Sequence, residues 1–108
     1  MIKVTIRKES SGIPTYVSVS GHAGYSEKGT DIVCAAVSAL TINTVNSLER
    51  FTTSDFTECG EKNGTITIRL LNIEDPGCRV LIQSLVSGLL DIQKEYGNKY
   101  VTLNIEEV

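Results

Sequence analysis

No long basic run occurs in the 108 residues, and 10 lysines and arginines against 13 aspartates and glutamates leave a formal charge of −3. A protein that wraps nucleic acid needs clustered cations to neutralise phosphates, so that class is disfavoured and no direct nucleic-acid partner is required. The N-terminal stretch MIKVTIRKESSG breaks up its apolar residues with Lys3, Arg7, Lys8 and Glu9, so it lacks the unbroken run of a secretory signal or a membrane span. A cytoplasmic chain with no membrane partner is expected. Cysteines number three, Cys34, Cys59 and Cys78, and this odd, widely spaced set suits neither a disulfide framework nor the close pairs of a zinc site. They read as thiols, and neither a metal nor an organic cofactor is expected. No repeat, low-complexity tract or linker divides the chain, whose length is about 0.7 of a typical domain allowance of roughly 150 residues. One domain over 1–108 is expected.

What is present suffices for a core, with 41% apolar and 21% charged residues. Ile2, Val4 and Ile6 alternate with Lys3, Thr5 and Arg7 as in a half-buried strand, and Val17 and Val19 repeat the pattern in a second strand that stops at Gly21-His22. The stretch from Ala23 to Thr30 is a loop. A helix then runs to about Phe51, capped by Thr30 or Asp31, with Val33, Ala36, Val37, Leu40, Leu48 and Phe51 as its apolar stripe. Strands are expected around Asp55–Cys59 and Thr65–Leu71, joined by a tight turn at Asn63-Gly64. Asp75-Pro76 opens a second helix, with its stripe at Leu81, Ile82, Leu85, Leu89, Ile92 and Tyr96 and Gly97 ending it in the left-handed conformation. Gly88 interrupts this helix and points to close packing against Ala35-Ala36 or Ala39. Val101, Leu103 and Ile105 mark a last strand. The order predicts an α+β domain of two layers, a mostly antiparallel sheet of about five strands with two helices on one face.

The only histidine, His22, ends the second strand, and Cys34 follows twelve residues later in the first helical turn. With Asp31 as N-cap the sulfur lies near the positive end of the helix dipole, where a thiolate is favoured. An ordinary thiol is only about 3% ionised at pH 7, and a helix terminus contributes roughly 0.3–1 kcal/mol, so the helix alone is insufficient. A neighbouring His22 imidazolium supplies the remainder, and the loop over 23–30 allows the two to meet. The competing reading makes Cys34 a small buried apolar residue and His22 a satisfied structural group. Asp31 is either the helix cap or an orienting carboxylate for the histidine. Ser38, four residues past Cys34 on the same helical side, supports the thiol or the loop, or only bonds a backbone carbonyl. Gly21, Gly24 and Gly29 permit unusual backbone angles, with Gly24, Tyr25 and Gly29 in a loop suited to gating a substrate. Cys59 and Cys78 have no histidine nearby and are read as structural or incidental, and Glu106-Glu107 as a solvated charge cluster.

Ser20-Gly21-His22-Ala23-Gly24 and Gly29-Thr30-Asp31-Ile32-Val33-Cys34-Ala35-Ala36-Val37-Ser38, in a chain similar along nearly its whole length, resemble the bacterial ribosomal-processing cysteine protease family Prp, also called YsxB-like. The resemblance implies a catalytic histidine at His22, a nucleophile at Cys34 and supporting roles for Asp31 and Ser38. It also implies a homodimer that removes the N-terminal extension of ribosomal protein twenty-seven of the bacterial large subunit. In that chemistry amides near the first helical turn receive the oxyanion. Two other readings are a noncatalytic ribosome-associated binding module and, more weakly, a redox regulator.

Overall fold

The period-two alternation at the start of the chain forms β1 (Ile2–Lys8), and the next such stretch forms β2 (Pro14–Gly21). They pair antiparallel with Ile2 opposite Gly21, Val4 opposite Val19 and Ile6 opposite Val17, which puts these isoleucines and valines on one face. A second hairpin, β3 (Thr57–Lys62) and β4 (Thr65–Leu70), turns through Asn63 at φ 53° and Gly64 at φ 79°, the paired positive angles of a tight hairpin turn. The computed structural model describes residues 1–21, 24 and 31–107, so His22, Tyr25, Gly29 and the rest of the loop at 23–30, apart from Gly24, lie outside the described residues.

The five-stranded sheet has the order β3-β4-β2-β1-β5, with β5 spanning Val101–Glu107. Only the β1–β5 pair is parallel; the other three pairs are antiparallel. Because β4 and β5 run the same way at different places in the sheet, the chain has to cross it between them, and α2 (Pro76–Tyr96) is that crossover. With α1 (Ile32–Phe51) it covers the apolar face, where Ile6, Val17, Ile82, Leu85 and Leu89 are all 0% exposed. By length and composition α1 is apolar enough to cross a membrane, yet its buried stripe packs into the domain core. The opposite sheet face is polar. There Arg7 and Arg69 flank Tyr16 across neighbouring strands, with guanidinium carbons 4.5 and 5.1 Å from the ring centroid.

Five local expectations change. Phe51 is 78% exposed, and the α1 stripe runs instead through Val33, Val37, Thr41, Thr44 and Leu48. Thr41 and Thr44 enter it because their hydroxyls donate to the carbonyls of Val37 (2.7 Å) and Leu40 (2.8 Å), leaving only the methyl to pack. Asp55 belongs to a single 3-10 turn, Ser54–Phe56, closed by the Phe56 amide on the Thr53 carbonyl, so β3 begins only at Thr57. Leu71 lies just past β4, its amide bonded to the Phe56 carbonyl. Gly97 does end α2 with positive φ (93°), but its ψ of 163° is a glycine-only extended conformation and not the left-handed helical one. Gly88 is closely packed, but on Leu40: an added Cβ would lie 2.5 Å from Leu40 Cδ2.

Candidate active site

Asp31 starts the site. It has extended backbone angles (φ −76°, ψ 102°), and its Oδ1 accepts hydrogen bonds from the amides of Val33 and Cys34, both at 3.0 Å. Its own carbonyl accepts from Ala35 at 3.0 Å. Asp31 is 8% exposed, so the helix start is fixed by a buried cap, and the cap reading of Asp31 holds. Cys34 becomes the third helical residue, half-buried in the first turn. An orienting contact from Asp31 to His22 lies outside the described residues.

This cap alters one expectation. The amides of Val33, Cys34 and Ala35 are all engaged by Asp31, two of them by its carboxylate, so they are not available to receive an oxyanion. A carboxylate beneath the first turn also offsets part of the dipole that favours a thiolate there.

Above the cap, Cys34 opens onto a cleft of about 230 Å³. Ser38 and Thr41, one and two turns further along α1, line it together with Ile2, Val19, Ser20 and Gly21 from the paired strands and Gly64 and Ile66 from the second hairpin. The end of β2 therefore reaches the cleft that holds the sulfur, and the β2 residue there has to be glycine. Gly21 has φ 89°, and a Cβ on it would fall on the carbonyl oxygen of Met1. Ser38 shares the cleft with Cys34, as their i, i+4 spacing requires. Gly24 is exposed, with φ 71° and nothing within 4 Å of an added Cβ. The cleft residues from β1, β2 and β4 carry no local sequence signal; only the strand pairing brings Ile2, Val19 and Ile66 together. Thr41 did carry one, sitting seven residues from Cys34 on the same helical side.

The other two cysteines stand elsewhere. Cys78 is 0% exposed in α2, and burial pushes its thiol above the ordinary range, aided by Asp75 and opposed by a hydrogen bond involving Thr52. Cys59 lies on β3, where desolvation of the sulfur also raises its thiol, with a hydrogen bond involving Thr57 opposing and the Glu49 charge adding to the rise. Glu106 bonds Arg7 at 3.3 Å across exposed surface, so it is not wholly a solvated charge.

The family model described as cysteine protease Prp matches residues 1–102. The chain is similar to the ribosomal processing cysteine protease Prp of Staphylococcus aureus, with 31% identity over 105 residues that cover 96% of this chain and 98% of that protein. It is similar to the Prp of Bacillus subtilis strain 168 as well, with 32% identity over 112 residues, 97% of this chain and 99% of that one. Among solved structures it resembles the essential ribosomal processing protease Prp from S. aureus in complex with a covalently linked product peptide, with a TM-score of 0.90, 30% identity and coverage of 98% and 100%. The same protease in complex with a substrate peptide superposes with a TM-score of 0.84 at 30% identity and the same coverage. A match over nearly the whole chain, with a half-buried cysteine in the first turn of a capped helix at the edge of a cleft, means that this chain belongs to the Prp family of cysteine proteases.

Proposed function

We propose that the chain is a ribosomal-processing endopeptidase that removes the N-terminal extension of ribosomal protein twenty-seven of the bacterial large subunit, with His22 and Cys34 as its catalytic pair. The observation that carries the pairing is that Gly21, the residue bonded directly to His22, lines the same cleft as Cys34. His22 takes the proton from the Cys34 thiol, and the thiolate attacks the scissile carbonyl. The tetrahedral intermediate collapses as the imidazolium protonates the departing amine, the C–N bond breaks, and a thioester remains on Cys34. The same imidazole then deprotonates a water that attacks the thioester and releases the acid, returning the proton to the sulfur. Since Asp31 holds the amides of Val33 and Cys34, oxyanion donors come from elsewhere in the cleft. Ser38 lines the same cleft as Cys34, which supports giving it an assisting role. The homodimer, the cytoplasmic setting and the gating role of Gly24, Tyr25 and Gly29 belong to the same proposal and rest on the family resemblance.

Mass spectrometry of a peptide spanning the cleavage junction tests the reading. The wild-type protein should cut it at one bond, and Cys34→Ala should lose at least about a thousandfold of that activity while staying folded. Equal cleavage by both proteins would remove Cys34 from the chemistry.

A further inference from the structure

The cleft at Cys34 has a neighbour on the far side of Ile66. That side chain also lines the next cavity along α1, about 330 Å³, between Ile42 and Val45 of the helix and Cys59 and Glu61 of β3. Val45 and Cys59 in turn line a third, about 160 Å³, which reaches Glu49 and Thr57. The three are thus consecutive neighbours, each sharing a lining residue with the next, in a row between α1 and the second hairpin that we treat as one trough. Cys34 and Glu49 are fifteen residues apart on the helix, roughly 22 Å at about 1.5 Å per residue, enough for six or seven extended residues. The far wall of the trough is β3, an edge strand whose outer side pairs with no strand among the described residues.

We propose that this trough is an extended-peptide exosite, in which the part of the substrate remote from the scissile bond adds as a further strand beside β3. The inference rests on Cys34 being the nucleophile, because it assigns the trough through its continuity with that cleft. Its chemistry selects the occupant. Ile42, which is 49% exposed, with Val45 and Ile66, offers apolar contact, while Glu49 on the helix side and Glu61 on β3 add negative charge from both walls. An extended segment that mixes apolar side chains with lysine or arginine matches both. Backbone hydrogen bonds to the strand edge would supply affinity and these side chains the selection.

The test uses the full chain and the junction peptide in two lengths, one carrying two residues on each side of the cleaved bond and one carrying eight. The wild-type protein should cleave the long peptide with a KM at least about tenfold below that of the short one. Ile42→Glu should remove that advantage while leaving the short peptide's kcat/KM unchanged, and Glu49→Lys should raise the long peptide's KM several-fold. Hydrogen exchange on Cys34→Ala with the long peptide should show new protection at amides 57–62. Cleavage of both lengths with equal KM, or protection confined to the Cys34 cleft, overturns the exosite and leaves the protease reading intact. Protection of 57–62 that is already present without peptide and rises with protein concentration assigns the edge to a second copy and also overturns it. No cleavage of either peptide together with no protection removes the protease reading and the exosite with it.

Discussion

The two helices open with the same four-residue pattern, Asp31-Ile32-Val33-Cys34 and Asp75-Pro76-Gly77-Cys78, yet Cys34 lines a cleft while Cys78 is fully buried. Their caps are near copies. Asp31 and Asp75 both have extended angles, and each side chain accepts the amide hydrogen of the cysteine three residues on, at 3.0 and 2.8 Å. Both sulfurs therefore belong to the third helical residue and feel a similar dipole, worth under about 1 kcal/mol. Their surroundings differ. Cys34 is half-buried against a 230 Å³ cleft, whereas Cys78 is 0% exposed and its thiol is pushed upward by desolvation. A helix start places a cysteine, but access and a proton acceptor make it a nucleophile, and burial can override the dipole.

The sharpest way to break this comparison is thiol labelling. In the folded protein near pH 7, iodoacetamide should modify Cys34 at least about a hundredfold faster than Cys78, which reacts only when the structure opens. Cys59 should fall between them, since it is exposed but its thiol is raised. Raising the pH should speed Cys59, whose thiol is raised by desolvation, and guanidinium should bring all three rates together. Equal folded-state rates at Cys34 and Cys78 would mean that the two helix starts do not differ in access.

A smaller effect sharpens the comparison from the shared side. Asp31→Ala and Asp75→Ala should each cost about 0.5–2 kcal/mol in urea unfolding, and the asparagine variants much less, because both carboxylates serve as caps. Asp31→Ala should be the costlier, since that one carboxylate oxygen serves two amides. A stability loss with Asp31→Asn as large as with Asp31→Ala would show that its charge, and not its capping geometry, is what the fold uses.

Much of this was legible in the sequence, for reasons particular to each residue. Strict alternation in β1, the Asn63-Gly64 turn and the Asp75-Pro76 start are local signals whose physics does not depend on the rest of the fold, and all three hold. Residue type points the α1 stripe toward Phe51, but burial along the helix does not follow residue type. Threonines at 41 and 44 hide their hydroxyls on the helix itself and pack as small apolar groups, while Phe51, the last residue of the helix, is 78% exposed. Gly88 announced a close contact without naming its partner, since Leu40 reaches it across an interhelical distance that no spacing within α2 records. For the site, the cap and the third-residue cysteine follow from spacing alone. The walls of the cleft do not, because Ile2, Val19, Ile66 and Cys34 meet only after β1, β2 and β4 align in register under α1. The engagement of the first-turn amides by Asp31 was implicit in the cap and runs against assigning those same amides to the oxyanion.

The most direct test of the central claim is to trap the acyl-enzyme. The protein is mixed with the junction peptide, quenched in acid within the first turnover, digested and sequenced by mass spectrometry. The account predicts the mass of the N-terminal product, joined as a thioester, on the fragment holding Cys34, with Cys59 and Cys78 unmodified. An acyl group on either of those cysteines, or turnover of the peptide with no acylated cysteine at any quench time, would contradict it.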